Sequence, residues 1–324
     1  MRVKIGIDLL GADLDPKEMA QSIINWKESF NAEVSFVFFS KKNLLPFFED
    51  SSRNFFDVCY VEHEITMDEN PLFAIRRKKD SSIIQGMHYL KNGKIDAFIS
   101  CGNTGAILSS AKMILKTIDD ISRPALIAMI PTKKKLTAML DVGGNITFNE
   151  KILVEYAKLG IAFQKSLGIK KPKVGILNIG SERKKGTFQH QMAYNQLSKH
   201  DANYEFLGNI EGKKVFEGIA DVLVTDGFTG NIFLKTSEGI ASFVLDKIYN
   251  NLTSSQLKDI ENLLEDLKKR LYYAYYPGAL LIGVKKIVIK CHGYSSIKAV
   301  LSAIEGSIEY VKKDIIESIK SYIG

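Results

Sequence analysis

Two short stretches, GNTGA (residues 102–106) and GFTGN (residues 227–231), place glycine beside a threonine and an asparagine where an apolar run meets a helical pattern. Glycine lets the backbone turn with positive φ and come close to a ligand. Threonine and asparagine add short hydrogen-bonding groups. A helix that starts there offers unpaired N–H groups and the positive end of its dipole. Together these features suit phosphate or another oxyanion. Four more apolar runs end in similar residues: Asp8, Gly11 and Asp13; Asp141, Gly143, Gly144 and Asn145; SERKKGT (181–187); and His292, Gly293, Ser295 and Ser296. One such cluster would be a turn. Six at strand ends predict a lined cleft, because open α/β sheets bind ligands beyond the carboxyl ends of their strands.

The elements that must hold these residues alternate. Strand-like runs are VKIGID, EVSFVFF, IDAFIS, ALIAMI, LTAMLD, KVGILNI, ADVLVTD and KIVIKC. Most are near-continuously apolar, as in strands buried on both faces of a mainly parallel sheet. Helical patterns fall between them at 15–29, 71–92, 105–117, 150–167, 187–199, 229–250, 255–272 and 296–320. The alternation predicts an α/β fold with a doubly wound, mainly parallel sheet. No linker or repeat divides the chain, so residues 1–324 read as a single unit. TSSQ (253–256) is a capping-box pattern that opens an amphipathic helix bearing Leu257, Ile260, Leu263, Leu264, Leu267 and Leu271 on one stripe. With the tyrosine-rich apolar turn that follows, residues 253–283 read as a protruding element, either packed on the core or used for a dimer or membrane contact.

Composition narrows the classes. The chain is 45% hydrophobic and 25% charged, with a net charge of +7, which favours acidic partners but is mild for a nucleic-acid binder. No apolar run approaches the ~18–20 residues that span a bilayer. The N-terminus turns acidic and glycine-bearing too early for a signal peptide, which predicts a cytoplasmic protein. Cys59, Cys101 and Cys291 have neither metal nor redox spacing. The chain lacks G-x-x-x-x-G-K-[ST], a well-placed G-x-G-x-x-G, G-x-S-x-G and H-E-x-x-H, so Walker, dinucleotide, serine-hydrolase and zinc sites are unsupported.

MDENPLFAIRRKKDSSI, ISCGNTGA, RPALIAMIPT, LDVGGN, VGILNIGSE, FLGNIEGKKVFEGIADVLVTDGFTGNIFLKTSEG and HGYSSIKAVLSAI follow one another in an order that resembles the phosphate acyltransferases of bacterial phospholipid synthesis (PlsX-type) over nearly the whole chain. The resemblance implies a two-lobed architecture similar to phosphate acetyltransferases. It implies transfer of a long-chain acyl group from acyl-acyl carrier protein to inorganic phosphate, without cofactor or metal. It also implies a homodimer, cytoplasmic and peripherally membrane-associated, that feeds a membrane glycerol-3-phosphate acyltransferase. Ala12, Gly144, the SERKKG stretch with Arg183, and Tyr294 depart from the family pattern and bear on substrate preference and carrier contacts.

With that reaction in view, phosphate is assigned to Gly102, Asn103, Thr104 and Gly105 and to Thr229, Gly230 and Asn231. Lys235 supplies positive charge. His292, with Ser295 and Ser296, is assigned to the thioester carbonyl or the departing thiolate, and Asp226 to orienting a donor or a phosphate proton. Asp8, Asp13 and Asn145 line the cleft. Arg76, Arg77, Lys78, Lys79, Lys184 and Lys185 form a basic rim for the acidic carrier. The alternatives are the same transfer from acyl-CoA, a two-lobed dehydrogenase-like enzyme, and a basic scaffold protein that uses the amphipathic helix at membranes.

Overall fold

Every apolar run read as a strand becomes one in the computed structural model, which describes residues 2–30, 33–49, 54–199, 201–271, 278–293 and 295–323. Among these residues the strands are β1 (Val3–Asp8), β2 (Val34–Ser40), β3 (Phe56–Tyr60), β4 (Ala97–Ser100), β5 (Ala125–Pro131), β6 (Leu136–Leu140), β7 (Lys173–Asn178), β8 (Glu205–Glu211), β9 (Val222–Val224), β10 (Ala279–Ile282) and β11 (Ile287–Lys290). They form one sheet in the order β3-β2-β1-β4-β11-β10-β5-β6-β9-β7-β8. The helices are α1 (Pro16–Ser29), α2 (Leu45–Glu49), α3 (Pro71–Arg77), α4 (Ser82–Lys91), α5 (Thr104–Ile114), α6 (Glu150–Ser166), α7 (Phe188–Leu197), α8 (Gly212–Val215), α9 (Gly227–Asn251), α10 (Ser254–Asp259), α11 (Glu261–Leu271), α12 (Ile297–Lys312) and α13 (Ile315–Ile323).

Helices cover both faces. On one face Met19 and Ile23 of α1, Tyr156 of α6, Val300 of α12 and Ile319 of α13 pack with Ile5, Phe36 and Ala138 of the sheet. On the other, Met87 of α4, Ile107 of α5 and Leu234 of α9 pack with Phe98, Leu126 and Val288. Each run is apolar at consecutive positions because both of its faces are covered.

The sheet contains two parallel blocks, β3-β2-β1-β4-β11 and β6-β9-β7-β8. Between them β10 is antiparallel to β11 and β5, and β5 is antiparallel to β6. The two blocks therefore run in opposite senses. Their carboxyl ends do not share one edge, as a single parallel sheet would require. They meet only across the central seam.

Several elements differ from the sequence expectation. Residues 279–282, read as part of the protruding apolar turn, form β10 in the middle of the sheet, with each residue buried. The tyrosines and proline of 272–277 lie outside the described residues. The expected helix 71–92 breaks at Lys78–Ser81, 255–272 breaks at Ile260, and 296–320 breaks near Asp314, whose φ is +46°. β3 and β8 have weak apolar signatures. The first is a half-buried edge carrying Asp57, and the second is interrupted by Gly208 at φ +80° and by Asn209.

Candidate active site

The first wall of the cleft is built where β4 gives way to α5. Asn103 spends its whole amide on structure. Its Oδ1 caps α5 by accepting from Ala106 N–H at 3.0 Å. Its Nδ2 reaches the carbonyls of Thr66, Met67 and Glu69 at 3.0, 3.3 and 3.2 Å. The 66–69 turn is thereby strapped over the GNTGA loop, and Met67 joins the cleft lining. Beneath the loop, Gly102 N–H donates to Ser100 Oγ at 3.0 Å, and Ser100 Oγ–H donates to Asp8 Oδ2 at 2.7 Å. Leu10 N–H reaches Asp8 Oδ1 at 3.0 Å. Burial pushes the Asp8 carboxyl up to about 6, against the opposing pull of these hydrogen bonds.

The opposite wall is organised by Asp141. This buried carboxylate accepts from the N–H groups of Leu126, Gly143, Gly144 and Asn145 and from Asn145 Nδ2, at 2.7–3.2 Å. Burial still raises its pKa. Asn145 Nδ2 also donates to Pro124 O at 2.8 Å, and Gly227 N–H donates to Asn145 O at 3.0 Å, which docks the VGGN loop on the start of α9. Asp226 is the N-cap of α9 and accepts from Phe228 and Thr229 N–H at 3.0 Å each. Gly230 is packed so closely that a Cβ there would overlap the Asp141 carbonyl.

The end of β11 closes the site. Lys290 is buried yet belongs to the cleft lining, and its Nζ donates to the carbonyls of Cys101 (3.3 Å) and Cys291. It ties the loop after β4 to the loop after β11. Burial lowers the Lys290 pKa, and the nearby charge of Lys235 pushes the same way. His292 Nε2 lies 3.5 Å from Glu238 Oε1 of α9.

The resulting cleft holds about 350 Å³ and lies over the seam between the two blocks. Of the residues expected from sequence, Asp13, Thr104, Asn231, Lys235 and His292 line it. Asp8, Gly102, Asn103, Gly105, Asn145, Asp226, Thr229 and Gly230 lie behind or beside the lining and build its loops. Ser296 caps α12, accepting from Ala299 N–H at 3.4 Å, and the backbone N–H of Ser295 donates to His292 O at 3.1 Å. Sequence reasoning missed Lys290. Its signal was a lysine inside the apolar run IVIKC. It also missed the apolar lining of Met67, Leu126, Val142, Leu234 and Ala279.

The basic residues divide between two places. Arg76, Arg77 and Lys79 are exposed at the end of α3, with Leu72 and Phe73 exposed on the same helix. Lys78 is instead held by Glu69 at 2.7 Å and the Glu64 carbonyl at 2.8 Å. Lys184 and Lys185 are exposed in the loop after β7, with Lys185 3.9 Å from Glu182. Among the described residues no group of three or more His, Cys, Asp or Glu side chains is arranged to hold a metal, and no helix is long and apolar enough to cross a membrane.

Residues 3–318 match the family model described as "Fatty acid synthesis protein". The chain is 39% identical to a phosphate acyltransferase of Chlamydia abortus over 329 aligned positions, covering 99% of each. It is 36% identical to a phosphate acyltransferase of Thermoanaerobacter pseudethanolicus, covering 99% of this chain and 97% of that one. In fold it is similar to a branched-chain phosphotransacylase of Enterococcus faecalis, with a TM-score of 0.62 at 12% identity over 95% of this chain and 99% of that one. The match runs over nearly the full length, and the chain belongs to the phosphate acyltransferase family of fatty acid synthesis proteins.

Proposed function

We propose that this protein transfers a long-chain acyl group from acyl-acyl carrier protein to inorganic phosphate, releasing acyl-phosphate and free carrier. It does so as a cytoplasmic homodimer that rests transiently on the membrane surface, where a glycerol-3-phosphate acyltransferase takes up the product. One observation carries the reading: Lys235 from α9 and Lys290 from β11 line the same cleft, next to Thr104 at the start of α5. Two positive side chains lining one partly buried space favour an anion in it. A phosphate dianion there meets both ammonium groups and the positive end of the α5 dipole.

Phosphate dianion is already a nucleophile near neutral pH, so positioning and charge stabilisation dominate the chemistry. The apolar lining of Leu126, Val142 and Leu234 suits the methylenes of the thioester arm. The start of α3 leans on the GNTGA loop, since a Cβ at Gly105 would touch the Pro71 ring. An acidic carrier docked on Leu72, Phe73, Arg76, Arg77 and Lys79 would therefore stand at the cleft mouth, with Lys184 and Lys185 as a second basic rim.

The test mixes palmitoyl-carrier protein with phosphate, at low and high ionic strength, and follows free thiol and acyl-phosphate. Expected is phosphate-dependent release with a carrier KM that rises with salt. Lys290→Met should lower the rate about 100-fold, in line with loss of one preorganised charge donor. Asn103→Ala should also lower it by loosening the loop. No release from either carrier or CoA thioesters would sink the acyltransfer reading. Release from palmitoyl-CoA alone would change the donor, and a salt-independent KM would remove the basic rim.

A further inference from the structure

The transfer proposed above moves one proton. Hydrogen phosphate dianion enters with a proton that acyl-phosphate does not keep, and the carrier leaves as a thiol that did not bring one. The new C–O bond, the broken C–S bond and this proton balance without a further reactant. A single group that takes the proton from phosphate and returns it to sulfur suffices, and His292 lines the cleft where both reacting atoms must meet.

His292 is not set by its own loop alone. Its Nε2 faces Glu238 Oε1 across 3.5 Å, with the imidazole and the carboxylate 23% and 20% exposed. Glu238 lies seven residues after Asn231 and three after Lys235. All three therefore share the α9 face that looks into the cleft. Glu238 Oε1 is shut off from solvent and accepts no hydrogen bond from the described residues. A buried carboxylate oxygen without a donor is costly, and the imidazole N–H is the group placed to satisfy it after a small rotation.

We propose, building on the acyltransfer reading, that Glu238 is a positioning residue that fixes the Nε2–H tautomer of His292, so that the proton in transit uses Nδ1. The carboxylate balances the charge of the imidazolium while it carries that proton. Phosphate gives its proton to Nδ1 as its oxygen bonds the carbonyl carbon. The departing sulfur takes the proton from Nδ1 as the C–S bond breaks.

The experiment combines a double-mutant cycle with imidazole nitrogen NMR. His292→Ala is expected to lower kcat about 100-fold and Glu238→Gln about 10-fold, each with little change in either KM. Adding Glu238→Gln to His292→Ala should cost less than twofold more, because the carboxylate acts through the ring. The His292 ring signals should report the Nε2–H tautomer in the parent and lose that preference in Glu238→Gln. Thermal melting checks that the near-isosteric variant is folded, and Glu238→Asp, which keeps the charge, should recover part of kcat. Independent, multiplicative losses would overturn the proposal, as would a His292 tautomer indifferent to Glu238. The NMR arm needs no turnover. A Glu238-dependent tautomer in a protein that fails to release thiol would keep the pairing and discard the acyltransfer reading.

Discussion

Asp8 sits beneath the GNTGA loop with its carboxyl entirely enclosed, and burial moves it from 3.8 to about 6. The direction fixes the pH response. Below 3.8 the group is neutral in both the folded and unfolded chain. Between 3.8 and 6 the unfolded chain ionises first, so the unfolded state gains and the fold loses stability. The contribution is thus present at low pH and is lost as pH rises through 6, by about 3 kcal/mol in all. Asp8→Asn cannot ionise and escapes this loss. The melting temperature of Asp8→Asn, relative to the parent, is expected to climb between pH 4 and pH 7. A pH-independent difference would mean that Asp8 titrates as an ordinary carboxylate. Lys290 poses the converse problem, a buried cation held by two carbonyls. Neither case was legible in the sequence, because burial is decided by strands that lie far away along the chain. Asp8 was visible as a strand-end acid, and Lys290 was hidden in an apolar run.

At the level of elements, the GNTGA and GFTGN loops were readable as strand-to-helix turns, because glycine with a small polar residue marks such a passage. Which side chains of those loops turn toward the cleft was not readable. Asn103 and Asp226 have the chemistry of ligand-binding groups, yet both are occupied as helix caps, one with a strap to the 66–69 turn and one at the start of α9. Capping and ligation use the same functional groups, and only packing separates them. The glycines carry the close approach of the two loops of the second wall. Gly230→Ala would drive a methyl into the Asp141 carbonyl, which neither loop can evade without breaking the bonds to Asp141. The expected cost is about 3 kcal/mol, at the upper end for overpacking. Chemical denaturation measures it, and a loss below 1 kcal/mol would show that the VGGN loop yields easily. β10 escaped detection for a related reason: four apolar residues after Pro-Gly look like a turn until β5 and β11 are seen to flank them.

Across the whole molecule, α9 leaves Phe228, Ile232, Ile240, Phe243 and Val244 exposed. Their spacing of four, eight, three and one residues draws a stripe along one helix. A stripe of that kind suits a second copy of the chain, in keeping with the homodimer proposed above. Sedimentation of the parent is expected to report a dimer of the 36.3 kDa chain, and Ile240→Asp with Phe243→Asp should return it to the monomer mass. A monomeric parent would leave the stripe for another partner.

The seam has one more consequence, for the birth of the protein on the ribosome. β10 and β11 are made after every other described strand, yet they stand between β4 and β5, pairing Lys290 with Ser100 and Leu280 with Ile127. Until they emerge, the nascent chain holds two separate half-sheets, each with a raw apolar edge open to wrong pairing. The candidate cleft therefore comes into being in one late step, when the short β10–β11 hairpin zips the halves together.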